Sequence, residues 1–445
     1  MVAAVWALLR AVETGRTRWL LFCGALLGFG FLTKQLQVFL VIPGVALTYL
    51  IAGSPPRLGK RLVQLLATLT AFIVAAGWWV ALVELWPPRD NRPYIGGSKT
   101  NSFLDLTFGY NGFGRLLGGG DSLPNGGPAG PDVDPGAASF SPFGQAGITR
   151  MFSGESGGQI SWLLPAALVF LIVGLILCGR RPRTDLDRAH YLAWGGGWLI
   201  GTAGVFSFMS GLFHDYYTVA LAPAVAALVG IGSAELWRRR DNAWASALLA
   251  VVTLLTGGWA WVLLNRTPPD FVGWLKWVIL IGAVMAVAGL LIAAVLPAPG
   301  PPNRRDVRAW AAAVAIAVAL AGPAAYCVQT VSTAHTGGVV TAGPQIASSM
   351  PGPAGSRATP ERRYRLPWLG CCRKTLMPTP GWPRCPAQLK PATTNSPQAS
   401  PSWRWRLRFH RSVADSGAIS GRRGGGPHSL LHPVNRIGCS HRRRD

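Results

Sequence analysis

The sequence predicts an all-α integral membrane protein with many spans, a large extracytoplasmic loop and a disordered, basic C-terminal tail. Half of the 445 residues are hydrophobic and only 13% are charged, which is typical of multi-spanning membrane proteins. The apolar residues are gathered in stretches of about 20, the length that crosses a bilayer as a helix. Basic residues are concentrated in alternate short loops between these stretches, which indicates a fixed orientation in the membrane.

Nine apolar stretches are long enough to cross or nearly cross a bilayer. They cover residues 19–33, 36–52, 62–86, 160–178, 190–209, 216–236, 244–263, 274–296 and 307–329. If these spans alternate, five basic loops fall on one face, which their positive charge makes the cytoplasmic face. Those loops lie at residues 10–18, 57–61, 180–188, 238–240 and 304–308. The opposite face then receives Lys34, the turn at His214 and the C-terminal tail.

The spans and loops divide the chain into four parts. They are N-terminal transmembrane helices at 1–86, an extracytoplasmic loop at 87–159, transmembrane helices at 160–330, and an extracytoplasmic linker and tail at 331–445. The short apolar start, residues 1–9, resembles the end of a helix, so we expect the first domain to lack its beginning. Residues 118–138 are rich in Gly and Pro, which predicts a flexible insert.

The C-terminal tail differs in composition from the rest of the chain. Residues 351–445 carry 18 Lys and Arg against three acids, and so supply 15 of the net charge of +24. No helical or strand period is present, so the tail has no apolar face to offset the entropy of ordering. A basic arm for anionic lipid or nucleic acid is one interpretation, but no nucleic-acid fold accompanies it. We expect no nucleic-acid partner, and a frame-shifted translation from about residue 350 onward.

One lysine separates two apolar runs. Lys34 lies between residues 19–32 and 36–52. An ammonium at that depth costs a few kcal/mol and by default marks a functional site. Such a lysine suits a membrane protein that handles a phosphate-bearing lipid. The alternative is a lysine that snorkels to the interface at a short turn.

Several strings on the outward side carry a family resemblance. They are residues 28–34, 78–87, 93–98, 101–102, 108–116, 158–165 and 213–223. In their order and placement they resemble bacterial polytopic glycosyltransferases of family 39, of the GT-C fold type, and within it the actinobacterial mannosyltransferase-like branch. The resemblance covers about residues 1–345. It implies a GT-C-like helical bundle in the plasma membrane, with its active face outside the cytoplasm, at the cell envelope.

The resemblance also implies a reaction. Such enzymes take a sugar from a polyprenyl-phosphate carrier and pass it to a hydroxyl acceptor, so the expected partners are membrane lipids and the polyprenyl-phosphate sugar. The chemistry needs a carboxylate near the acceptor and cations near the leaving phosphate. No metal is implied and the cofactor requirement is unassigned. The outward acids are Glu84, Asp90, Asp105 and Asp215.

None of these acids matches the family's catalytic carboxylate, which belongs to a loop well before the Thr33-Lys34 string. We therefore assign no catalytic residue, and expect the chain to be a fragment that is inactive alone. A polytopic transporter or lipid-binding membrane protein is the rival function, and a non-functional gene remnant is a third interpretation. A transporter would be expected to show broken helices in two related halves, and the sequence shows no such repeat.

Ten residues are candidates for donor binding. Lys34 is the first candidate for the phosphate and Arg115 the second, with an anionic-lipid headgroup as the alternative ligand of Arg115. His214, Tyr216 and Tyr217 lie at a short outward turn, where they would bind sugar hydroxyls or phosphate, or form an interfacial aromatic belt. The uncharged candidates suit sugar contacts and structural turn roles equally, and are Tyr94, Asn101, Tyr110, Asn111 and Gln159.

Overall fold

The structure, a computed structural model, describes residues 1–54, 57–85, 88, 91–92, 94–118, 146–179, 185–210, 213–295, 304–334 and 341–344. All of them lie in the first of the two units into which the chain divides, Met1–Arg357. Within these ranges the regular elements are helices and there is no strand, which confirms the all-α class. The expectations for the flexible insert, for Asp90 and for the tail at 351–445 concern residues outside this set, apart from Gly118.

The helices follow one another with short connections. The α-helices are α1 Val2–Thr14, α2 Thr17–Lys34, α3 Ile42–Ala52, α4 Leu58–Leu85, α5 Phe103–Asp105, α6 Gly154–Ile160, α7 Leu164–Gly179, α8 Asp185–Tyr191, α9 Gly201–Phe208, α10 Ala222–Arg238, α11 Ala243–Asn265, α12 Leu275–Val295 and α13 Arg304–Ser332. The 3₁₀ segments are Gln35–Leu40, Arg150–Phe152 and Asp215–Leu221, and the π-helical segments are Leu106–Gly118 and Leu192–Ile200.

In the described part of the chain, six helices are long and apolar enough to cross a membrane. They run over Thr17–Leu40, Leu58–Leu85, Asp215–Arg238, Ala243–Asn265, Leu275–Ala294 and Arg305–Ser332. Each coincides with one of the stretches predicted from the sequence. The protein is therefore a multi-pass membrane protein.

The other three predicted spans contain shorter or irregular helices. Two of these helices, Ile42–Ala52 and Leu164–Gly179, begin with a proline in the first turn, where the missing N–H is tolerated. Each is therefore shorter than the apolar stretch that contains it. In the third, Leu192–Ile200 is π-helical around three consecutive glycines, whose low helix propensity permits the altered winding.

The helices pack into two groups. The larger core cluster draws its buried residues from α1, α2, α3, α7 and residues 189–228, and α4 lies along α2. Gly24 permits this approach, because a Cβ there would lie 2.2 Å from the carbonyl oxygen of Thr68. Helices α11, α12 and α13 pack against one another as the second group. The outward ends of α2 and α4 and the turn before α10 position the site described below.

Helix α3 and the π-helical segment Leu192–Ile200 meet at two glycines. A Cβ on Gly197 would lie 2.5 Å from the Cα of Gly44, whereas a Cβ on the adjacent Gly196 would meet nothing within 4 Å. The chain therefore needs glycine at 197 for close backbone approach, and does not need it at 196.

We expect Gly197→Ala to lower the free energy of unfolding by about 1–3 kcal/mol, because an added methyl forces two packed backbones apart. Gly196→Ala is the matched control and should be neutral or slightly stabilising, since alanine has the higher helix propensity. Thermal unfolding of the detergent-solubilised variants measures both. Equal unfolding temperatures for the two variants would contradict the close approach.

Candidate functional site

The site begins where α2 ends. The backbone of Lys34 leaves the helical region at φ −151° and ψ 73°, and the chain continues as the 3₁₀ segment Gln35–Leu40. A cation in the last turn of a helix is favourable, because the C-terminal carbonyls carry partial negative charge. Lys34 is exposed, and its ammonium points toward the turn that precedes α10.

Two cations converge on the ring of Tyr217. Lys34 Nζ lies 4.6 Å from the Tyr217 ring centroid and 5.9 Å from that of Tyr216. The guanidinium carbon of Arg115 lies 5.6 Å from the Tyr217 centroid, and its Nη1 donates a hydrogen bond to the Tyr217 hydroxyl. Cation–π contacts hold positive groups in place without neutralising them. Both side chains therefore keep a full charge available to a ligand.

These side chains line one cavity of about 500 Å³. Its lining residues are Leu32, Thr33, Lys34, Gln35, Leu36, Gln37, Leu40, Asn111, Arg115, Leu116, Val205, Phe206, Met209, Tyr216 and Tyr217. Two of them are cations, none is a carboxylate, and most of the others are apolar. The cavity is thus a positively charged end of an otherwise apolar space, which suits an anionic group attached to an apolar one.

The outward loop that carries Arg115 is anchored on Glu84 at the end of α4. Glu84 Oε1 accepts hydrogen bonds from Ser102 Oγ at 2.6 Å and from the Leu104 N–H at 2.9 Å. Its Oε2 forms an ion pair with Arg92 at 2.7 Å. The carboxylate is fully used in holding the loop against the helix, so Glu84 has a structural role here.

From this anchor the loop continues into the π-helical segment Leu106–Gly118, which departs from helical geometry at Gly112. A Cβ on Gly112 would lie 2.8 Å from Leu36 Cδ1, so the loop crosses closely over the 3₁₀ segment after Lys34. Asn111 Nδ2 donates to Gln35 Oε1 at 2.9 Å across this crossing. The loop and the end of α2 therefore form one wall of the cavity.

The turn before α10 supplies the aromatic wall. His214 stacks on Tyr216, with ring centroids 5.2 Å apart and planes 11° apart, and stands edge-on to Tyr217 at 5.4 Å. Burial, and after it the positive charge of Arg115, lower the pKa of His214 below its usual value. At neutral pH the imidazole is therefore uncharged, and it acts as a support for the two tyrosine rings.

A buried polar network lies behind this turn. Arg150 is 4% exposed, and its Nη1 donates to the carbonyl oxygens of Phe206 at 3.0 Å and Met209 at 2.7 Å. Asp215 is 9% exposed and accepts a hydrogen bond from Ser156 Oγ. Because Phe206 and Met209 also line the cavity, the network braces the cavity wall from behind.

The structure brings most of the sequence candidates together. The cavity lining includes Lys34, Asn111, Arg115, Tyr216 and Tyr217. Two further candidates contact this set without lining the cavity: His214 stacks on Tyr216, and Tyr110 lies under the Arg115 guanidinium at 5.0 Å.

Three candidates lie outside the cavity lining. Tyr94 is 89% exposed, and Gln159 belongs to the short helix α6. Asn101 has φ 54° and holds its own turn, because its side chain accepts from the Ile95 N–H at 2.6 Å and donates to the Arg92 carbonyl at 3.2 Å. The structure gives Asn101 the turn role that was the alternative to sugar binding.

Sequence reasoning missed two residues of the lining, Gln35 and Gln37. The signal was present, because amides inside an apolar run are costly in a membrane unless they have a partner or a function. Among the described residues no group of three or more His, Cys, Asp or Glu could hold a metal ion.

Comparison with known proteins gives the class of this chain. Residues 1–80 match the family described as dolichyl-phosphate-mannose-protein mannosyltransferase. The matches below support the same class, and together they confirm the resemblance to GT-C mannosyltransferases inferred from the outward strings. The cavity-lining residues Lys34, Gln35 and Gln37 lie within the matched segment.

Two similar proteins come from Bacillus subtilis strain 168. The chain is 32% identical over 371 residues to "Putative mannosyltransferase YkcB", covering 65% of this chain and 51% of that protein. It is 32% identical over 317 residues to "Putative mannosyltransferase YycA", covering 56% of this chain and 46% of that protein. The chain therefore spans about half the length of these relatives. No solved structure matches it.

Proposed function

We propose that this chain binds the lipid donor of a mannosyltransferase-like membrane enzyme, which moves a sugar from a polyprenyl-phosphate carrier to an extracytoplasmic hydroxyl acceptor. The observation that carries the proposal is the convergence of Lys34 and Arg115 on one cavity, with no carboxylate among its lining residues. The family match and the printed names of the two relatives support the same reaction class.

The cationic end of the cavity suits a leaving phosphate. When the bond between the anomeric carbon and the phosphate oxygen breaks, the phosphate keeps the electron pair and gains negative charge. Lys34 and Arg115 would stabilise that charge more strongly in a water-poor cavity than in bulk water. Both cations are already held on the Tyr217 ring, so little reorganisation is needed when charge develops.

The apolar walls suit the isoprenoid part of the donor. Leu32, Leu36 and Leu40 line one side of the cavity, next to the Lys34 break. Val205, Phe206 and Met209 line another part. A phosphate attached to an isoprenoid would place its charge at Lys34 and Arg115 and its first units against these side chains. A soluble nucleotide-sugar would leave the apolar walls without a partner.

Direct lipid binding tests the proposal. The purified chain in nanodiscs should bind undecaprenyl phosphate at least about tenfold more tightly than undecaprenol, since a hydrogen bond to a charged group is worth about 1.5–3 kcal/mol. The two lipids differ only in the phosphate, so the comparison isolates the cationic end. Equal affinity for the two lipids would contradict the proposed function.

We propose further that the cavity opens on the extracytoplasmic side of the plasma membrane. Arg238, Arg239 and Arg240 follow α10 at the end remote from the His214 turn, and Arg305 and Arg308 lie at the start of α13. Loops rich in arginine stay in the cytoplasm. The ends of the helices that carry the cavity are then outside.

Cysteine labelling of intact cells measures this topology. In a variant whose native cysteines are replaced by serine, a cysteine at the exposed Thr100 of the outward loop should react with an impermeant maleimide. A cysteine at the exposed Gly59 should react only after permeabilisation, because it lies beside the basic loop at Lys60 and Arg61. The reverse pattern would reject the orientation.

A further inference from the structure

Three side-chain carboxamides face the same cavity as the two cations. Gln35, Gln37 and Asn111 all line it. Gln35 and Gln37 follow Lys34 directly and belong to the membrane-spanning range Thr17–Leu40. An amide in such a range costs free energy unless it is hydrogen-bonded, so the pair calls for a ligand or a partner.

Only part of this hydrogen-bonding capacity is used within the protein. Asn111 Nδ2 donates to Gln35 Oε1 at 2.9 Å, which fixes the orientation of both amides. Gln35 Nε2 and Asn111 Oδ1 have no hydrogen-bond partner in the described part of the chain, and neither has the Gln37 side chain. A carboxamide offers both donors and acceptors. The three groups thus present fixed donors and acceptors next to the cationic end.

The charge of the cavity restricts what these amides can bind. Lys34 and Arg115 give the lining two positive charges, and no described lining residue is a carboxylate. An ammonium on the ligand would meet two like charges and no counter-ion, which is unfavourable at short range. Hydroxyl groups pair with amides without any charge, and the face of a sugar ring packs on an aromatic ring such as Tyr216.

We propose that Gln35, Gln37 and Asn111 form the subsite that recognises the ring hydroxyls of a neutral hexose carried by the donor lipid. The proposal rests on the proposed function, because the phosphate must first be held by Lys34 and Arg115. In this arrangement the cations bind any polyprenyl phosphate, and the amides distinguish a neutral sugar from an amino sugar. The amides are specificity-determining residues and take no part in proton transfer.

The test is the ratio of two affinities for each protein, measured on the full chain in nanodiscs. The ligands are undecaprenyl-phosphate mannose and undecaprenyl phosphate. In the unmodified chain the mannosyl lipid should bind more tightly than the sugar-free lipid. Gln35→Leu and Gln37→Leu should each reduce that ratio roughly three- to tenfold, since each removes one or two hydrogen bonds of about 1 kcal/mol. The affinity for the sugar-free lipid should stay within about twofold, which also shows that each variant is folded.

Controls separate this inference from the proposed function. Gln329→Leu, in α13 and outside the cavity, should leave both affinities unchanged. Undecaprenyl phosphate carrying 4-amino-4-deoxyarabinose should bind no better than the sugar-free lipid. If the glutamine variants keep the unmodified ratio, or the amino sugar binds as well as mannose, the subsite is wrong while phosphate binding stands. If the unmodified chain does not bind undecaprenyl phosphate at all, the proposed function itself fails.

Discussion

Replacing Lys34 and Arg115 together with alanine should weaken binding of undecaprenyl phosphate by about a hundredfold or more. Each cation can make a charge-assisted hydrogen bond to a phosphate oxygen, worth about 1.5–3 kcal/mol, and the two losses together exceed about 3 kcal/mol. Lys34→Ala alone should cost about tenfold. Lys34→Arg should keep part of the affinity, because the charge remains while the shape of the donor changes.

Lys276→Ala is the matched control for these variants. Lys276 is a basic residue near the start of α12, at the end that we assign to the outward side, and its Nζ donates to Asn265 Oδ1 at 2.9 Å. It lies outside the cavity lining. Scintillation binding of radiolabelled lipid to the purified proteins gives the affinities. If Lys34→Ala and Lys276→Ala bind equally well, the phosphate role of Lys34 is wrong.

Arg150→Met should be among the most destabilising single changes in the chain, with an expected loss of about 3 kcal/mol or more. The substitution leaves the buried carbonyls of Phe206 and Met209 without their donor. It also removes a positive charge from the surroundings of the buried Asp215 carboxylate. Buried polar groups left without partners cost about 1–3 kcal/mol each, and uncompensated buried charge costs more.

Thermal inactivation and retention on size exclusion, measured in detergent, follow this loss of stability. The double variant Arg150→Met with Asp215→Asn should be less unstable than the sum of its single variants, because neutralising Asp215 removes the uncompensated charge. Arg150→Lys should lie between the wild-type protein and Arg150→Met. Strict additivity of the two single changes would show that Arg150 and Asp215 do not interact.

The same variant links stability to the cavity. Phe206 and Met209 both line the cavity, so loosening of their backbone should also weaken lipid binding. We expect this loss to affect undecaprenyl phosphate and undecaprenol alike, because the network shapes the apolar wall and leaves the cations in place. A loss confined to the phosphate-bearing lipid would instead indicate that Arg150 acts on the charge of the site.

The helical class, six of the spans and the cation Lys34 could be predicted from the sequence, because each depends on local composition or on a run of apolar residues. The partnership of Arg115 and Tyr217 could not, since 102 residues separate them in the chain. Only the folding of the outward loop over the end of α2 brings them together. The uncertain spans also had a local cause, namely prolines and consecutive glycines that shorten or rewind the helices.

The uncharged candidates show where residue type alone is ambiguous. Asn101 and Asn111 belong to neighbouring strings and offer the same chemistry. Asn101 is consumed by backbone groups of its own turn, whereas Asn111 reaches Gln35 and the cavity. The difference depends on which side of the loop each residue faces, and a π-helical segment with a break at Gly112 hides that periodicity.

The central claim is that the cavity between the end of α2 and the His214 turn holds the phosphate of a polyprenyl-phosphate sugar. An electron cryomicroscopy structure of the chain with undecaprenyl-phosphate mannose tests this most directly. We predict that the phosphate lies within hydrogen-bonding distance of Lys34 Nζ and the Arg115 guanidinium, with the isoprenoid against Leu36 and Leu40. A bound lipid whose phosphate lies elsewhere, for example against Arg238 and Arg239 at the opposite end of α10, would contradict the claim.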